Sequence, residues 1–164
     1  MNPETEALLR DVVTRLERGI EDRQCPAIVS LEGERSLVLS DYDYLRDDAT
    51  AVAFEERAAQ RAQEIHAVRW ALAVPQVLAL IEGGIAARAV SNLPLREGER
   101  EAITWMTCDA QDGVDYGFKA YTRRPSGDPV FGDLEVFTVA VQPSERMPGR
   151  HLLQIFGQHG DLGL

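Results

Sequence analysis

The sequence has almost no lysine. Lys119 stands alone against sixteen arginines, and the seventeen basic residues are outnumbered by 27 acidic ones. The formal charge of −10 leaves no basic stripe to neutralise a phosphate backbone, which argues against nucleic acid as a partner. Long apolar runs are missing as well. Nothing reaches the ~18 consecutive apolar residues of a membrane span, so no membrane partner is expected. Cysteine is scarce: Cys25 and Cys108 are too few for a disulfide framework. Met1 to Arg10 lacks the basic and apolar regions of a signal peptide, and a cytoplasmic location follows as the expectation. Heavy use of arginine and alanine with a single lysine suggests the codon usage of a GC-rich bacterial gene.

Cofactor and metal signatures are also missing. Gly83-Gly84 is not followed by the Gly-Lys-Ser/Thr of a phosphate loop. Gly157, Gly160 and Gly163 do not join a strand to a helix, and no serine sits in a nucleophile elbow. His151 and His159 stand eight positions apart with neither cysteine nearby, which misses zinc spacing. Asp109, Asp112 and Asp115 crowd around Gly113, but the spacing is not that of a calcium loop, and Asp-Gly between strands reads as a hairpin turn. The expectation is no cofactor and no metal.

What is present is an ordinary globular profile. With 45% hydrophobic and 27% charged residues the chain can bury a core. One domain is expected over residues 1–157, with a flexible tail over 158–164. Leu8, Leu9, Val12, Val13, Leu16 and Ile20 recur at helical spacing, with Asn2 as cap, Pro3 at the first position and Gly19 as stop. Ala27–Glu32 and Ser36–Tyr42 form a hairpin in which Leu37 and Leu39 share one face with partners such as Val29 and Leu31, leaving the serine face wetter. A second helix starts at Asp47 or Asp48 and buries Val52, Ala58, Ala59, Ala62 and Ile65. Residues 68–74 fit helix or strand; the helical reading is preferred to about residue 73, with Pro75 as the stop. Strands follow at 76–82, 85–91, 101–108, 114–123 and 134–142, the last central in the sheet because it is apolar on both faces. A short helix over 148–156 ends at Gly157.

The order α-β-β-α-β-β-β-β-β-α defines an α+β domain: a curved antiparallel sheet with helices packed on one face. By element order alone it resembles the cone-shaped sheets of nuclear-transport-factor-2-like proteins and the flatter sheets of bacterial secretion-chaperone-like domains. Such folds carry many unrelated functions.

Candidate chemistry is sparse. Asp41 and Asp43 alternate with Tyr42 and Tyr44 at a strand end, where a carboxylate beside a phenol could serve as general base. His66 or Tyr116 would supply the acid. Trp70 and Trp105 could wall a pocket, and Arg123 with Arg124 could clamp an anion. Lys119 lies on the polar face of its strand and reads as a solvated cation.

Two functions fit. The preferred one is a noncatalytic module that binds a protein partner or a small molecule, with a homodimer through the sheet as one form. The alternative is a small cofactor-free isomerase, cyclase or hydratase with a pocket between sheet and helices. Residues 1–64 hold 15 acidic and 8 basic side chains, so the helical half should meet basic partners and the sheet half anionic ligands.

Overall fold

A computed structural model describes residues 1–82, 84–90, 94–137 and 147–159. The elements come in the expected order: α1 (Pro3–Glu21), β1 (Ala27–Glu32), β2 (Ser36–Asp41), α2 (Asp48–Glu64), β3 (Arg69–Ile81), β4 (Gly84–Ala89), β5 (Glu99–Asp109), β6 (Gly113–Arg123), β7 (Pro129–Val136) and α3 (Arg150–His159). The single α+β domain is built on an open, wholly antiparallel sheet, β2-β1-β3-β5-β6-β7, with β4 beside β3.

β3 is the spine. Residues 69–73 pair with β1 and residues 76–81 pair with β4 on the same side, while β5 runs along the other side from Arg69↔Asp109 to Ala79↔Glu99. The segment expected to continue the second helix is therefore strand. Pro75 does not end it, because Val74 and Pro75 fall in the gap between β1 and β4, where no neighbour on that side needs an N–H.

The helices occupy both faces of the sheet, not one. α1 packs Leu9, Val12, Leu16 and Ile20 against Ile28, Ala71, Ala73, Ile103, Trp105 and Tyr121. α2 packs Phe54, Ala58, Ala59 and Ala62, with α3's Leu152, against Val29, Leu31, Trp70, Leu72 and Met106. The two sets alternate along β1, β3 and β5, so they face opposite ways. An amphipathic helix shows that it has a buried side but not which sheet face receives it.

Several local expectations shift. Val52 is exposed, and its place in the α2 core is taken by Phe54 and Glu55. Ser30 is buried because α1 covers that face. The last strand is Pro129–Val136 and lies at the sheet edge beyond β6; residues 138–142 of the expected central strand lie outside the described residues. α3 runs through Gly157 to His159, which takes in the first two residues of the expected tail; residues 160–164 lie outside the described residues.

α3 is held by a buried carboxylate. Glu55 accepts from the Tyr44 hydroxyl at 2.7 Å and from the Leu152 N–H at 2.8 Å, capping a helix that carries no acidic residue in its own first turn. Burial pushes the Tyr44 phenol far up, so it stays a donor.

Neither long helix ends at a glycine. α1 continues two residues past Gly19 to Glu21, with Asp22 as C-cap. In the next position Arg23 sits at φ 61; its N–H bonds Ile20 O and that of Gln24 bonds Gly19 O. α2 repeats the motif: His66 sits at φ 50, its N–H bonds Gln63 O and that of Ala67 bonds Ala62 O. Both are Schellman closures with a side chain where glycine is the usual residue. The left-handed conformation costs an L-residue roughly 1–2 kcal/mol. His66→Gly is therefore expected to stabilise the fold by about 0.5–1 kcal/mol, less whatever its exposed pair with Glu34 contributes. Urea and thermal unfolding of the variant should show a raised midpoint; a clear drop would contradict the cap assignment.

Candidate functional site

The expected catalytic residues are placed apart. Asp41 ends β2, accepts the Asp43 N–H in an Asx turn at 2.7 Å and is bound by Arg57 at 2.9 Å. Asp43 is exposed in that turn. His66 lies at the far end of the β1–β2 hairpin, exposed, with Nδ1 2.7 Å from Glu34. A strand of β2's length puts roughly 20 Å between them. Tyr116 is on β6, four strands from β2, roughly 19 Å across the sheet. Burial raises its phenol pKa, opposed by nearby Arg150.

The expected binding residues divide likewise. Trp70 is fully buried under α2, and Trp105 is buried on the α1 face, where its ring covers Gly117 so closely that a Cβ there would collide with it. The two tryptophans therefore lie on opposite sides of the sheet and share no pocket. Lys119, expected in solvent, donates to Glu17 of α1 at 2.6 Å. Arg124 is exposed beyond the end of β6. Asp109 shapes the turn that holds Asp112: its carboxylate accepts the N–H groups of Gln111 and Asp112 and binds Thr5 and Arg69. Burial opposes its ionisation, but these donors outweigh it and hold its pKa well below the usual range. Among the described residues no three His, Cys, Asp or Glu side chains gather as a metal site.

Of the expected set, Arg123 borders a cavity among the described residues. A cleft of about 460 Å³ opens where α1 has ended and the sheet continues, lined by Val77, Leu95, Glu99, Arg100, Glu101, Tyr121 and Arg123 among others. Register explains the grouping. Val77, Glu101 and Tyr121 are direct cross-strand neighbours on β3, β5 and β6, and Glu99 and Arg123 stand two residues along on the same face.

Two double-bonded ion pairs fix the walls. Arg88 holds Glu99 through Nε and Nη2 at 2.8 and 3.0 Å. Arg123 holds Glu101 in the same way at 2.8 and 3.2 Å, donates Nη1 to Gly127 O and lies 5.5 Å over the Tyr121 ring. This planar fork is something arginine provides and lysine does not. Arg88, together with the Arg96 N–H, lowers the Glu99 pKa to about 2. Burial pushes the Cys25 thiol up, with Arg123 opposing and Glu101 adding to the rise, and burial also raises the Tyr121 phenol. The Cys108 thiol, buried in the core, rises to about 12.

Glu99, Glu101, Arg88 and Tyr121 were missed because their partners lie on other strands. The available signal was Glu99-Arg100-Glu101 ahead of Ile103 and Trp105, which puts two carboxylates in line with core positions. No known protein family, curated protein or solved structure matches the chain.

The Glu99 pair gives a signed pH dependence. Its pKa falls on folding from an ordinary 4.5 to about 2, so the stabilisation is complete above 4.5 and disappears as pH falls toward 2. Unfolding midpoints of the native chain and Glu99→Gln, followed from pH 7 to pH 2, should differ most above pH 4.5 and converge near pH 2. A gap that stays constant with pH would rule out the pairing as its source.

Proposed function

We propose that this chain is a noncatalytic module that binds a small molecule in the cleft over β3, β5 and β6. One observation carries the reading: the cleft is a formed cavity in which Glu99 and Tyr121 are held in unreactive states. A general base at neutral pH needs a carboxylate with a raised pKa, and a nucleophile needs a lowered thiol or phenol pKa. Here Glu99 is shifted down and Tyr121 is shifted up. Its volume is within the common range for small-molecule sites, about 300–1,000 Å³.

A partner protein is the second reading, supported by the β3–β4 hairpin. No described strand pairs on the outer side of β4, and Ile81 and Ile85 are exposed near its turn. The partner could be a second copy of the chain. Among the described residues no helix is long and apolar enough to cross a membrane. The cytoplasm belongs to the same proposal, since the Cys25 and Cys108 thiols are free.

A fragment library followed by amide-resolved NMR tests the first reading. Saturable shifts should cluster at Val77, Glu99–Glu101 and Tyr121–Arg123, and bound fragments should be recovered unchanged after long incubation. Hits distributed elsewhere would remove the cleft as the site. Chemical conversion of a hit would put the isomerase, cyclase or hydratase alternative in its place.

A further inference from the structure

β4 is an edge strand without the usual protection. Its inner side pairs with β3 over Gly84–Ala89, and no described strand pairs on its outer side. Neither core cluster draws a residue from β4, and no described helix packs on it. Sheet edges are normally blunted by charge, proline or a bulge. β7, the far edge, carries Pro129, Asp133 and Glu135 and has a register shift against β6. β2 carries Ser36, Ser40 and Asp41. β4 reads Gly-Ile-Ala-Ala-Arg-Ala, and its one charge, Arg88, is turned onto Glu99 of its own chain. Gly84, Ala86 and Ala87 are exposed, and Ile81 and Ile85 are 57% and 44% exposed beside them.

We infer that β4 pairs with β4 of a second copy, antiparallel about a two-fold axis, and joins two sheets into one. The inference rests on the partner reading above and names the partner. An axis perpendicular to the sheet keeps the two faces aligned, so each residue meets itself or one an even number of positions away. Ala86 and Arg88 lie on one face, opposite Ala79 and Val77 of β3, and Ile85 and Ala87 lie on the other. A register centred on Arg88 would set two guanidiniums against each other, and one centred on Ala87 would leave them diagonal neighbours. Centring on Ala86 sets Arg88 opposite Gly84, where a side chain has open space, and separates the two arginines by roughly 13 Å along the strand. It also sets Ile85 opposite Ala87 and within diagonal reach of Ile85 of the copy. Self-complementarity of this kind favours a second copy over an unrelated protein: the centre is small, the flanks are apolar and the row carries no unpaired charge. Six residues span roughly 20 Å, and so short a contact buries less than the about 1,200 Å² of a stable interface, so the dimer is expected in the micromolar range.

Sedimentation equilibrium of the full chain across the micromolar range, at about 0.15 M salt to screen the acidic charge, should show a reversible monomer–dimer equilibrium. Ala86→Lys sets two lysines directly opposite each other and should weaken the dimer at least about tenfold. Val38→Lys, the same added charge at an exposed position of β2, should leave it within about twofold. Both positions are exposed, so both variants should melt near the native midpoint, which separates lost pairing from lost folding. A monomer at every concentration, a dimer that Ala86→Lys leaves intact, or equal losses in the two variants would each overturn the inference. Hydrogen exchange on the dilute, monomeric chain then decides whether the partner reading survives. Free exchange at alternate β4 amides means an open edge that another protein can take, whereas slow exchange along the whole strand means that the edge is covered within the chain and removes that reading too.

Discussion

The antiparallel ladder between β3 and β5 is the interaction on which the rest of this fold depends. It runs from Arg69↔Asp109 to Ala79↔Glu99 without a register break. Over its first half both faces carry helices: α1 covers Ala71 and Ala73, and α2 and α3 cover Trp70, Leu72 and Met106. Alanines at 71 and 73 let α1 sit close to the strand, while the larger residues on the other face fill the space under α2. Over its second half β1 has been replaced by β4 and α1 has ended. The same face then passes from core to cleft within four residues, between Ala73 and Val77.

Charge marks the two ends of β5. Asp109 and Glu99 lie on the same face, five alternations apart, with Ile103 and Trp105 between them. Each is gripped by an arginine from another strand, Arg69 on neighbouring β3 and Arg88 on β4, which lies beyond β3. Asp109 also meets Thr5 at the start of α1, where the helix dipole favours a negative charge. The Asp109 end is closed by backbone donors and the helix start, and only the Glu99 end remains accessible. A site on this face can therefore open at one end of the strand and not at the other.

The sequence carried the elements and their order because amphipathic spacing and caps are local properties; Asn2, Pro3 and Asp47 do what their positions imply. It misled where two local rules competed. Val68, Trp70, Leu72 and Val74 satisfy both a helical stripe and a strand alternation, and Pro75 suits the end of either. The deciding fact was the Schellman closure after Glu64, with a histidine in the glycine position, and histidine is no helix-stop signal. Pro125, Gly127 and Pro129 argue locally against a strand over residues 124–132, yet an edge strand tolerates Pro129 as its first residue. The candidate site was the least legible. Asp41 looked available because Arg57, sixteen positions later, gives no local sign of its partnership. Arg123 was identified, but the carboxylate that turns it from a free clamp into an orienting wall is twenty-two positions away.

The shortage of lysine then acquires a structural meaning beyond codon usage. The one lysine makes a single contact to Glu17, whereas Arg88 and Arg123 each hold a carboxylate through two nitrogens, and Arg123 spends a third on a backbone carbonyl while its plane lies over Tyr121. A lysine at either position would keep the charge but lose the second bond and, with it, the fixed orientation of the glutamate. Cleft walls built from such pairs are set before any ligand arrives, so little ordering remains to oppose binding. The same pairing limits reactivity, since a carboxylate already committed to two N–H donors is a poor acceptor for a substrate proton. The rigidity of these walls and the lowered Glu99 pKa thus come from one cause.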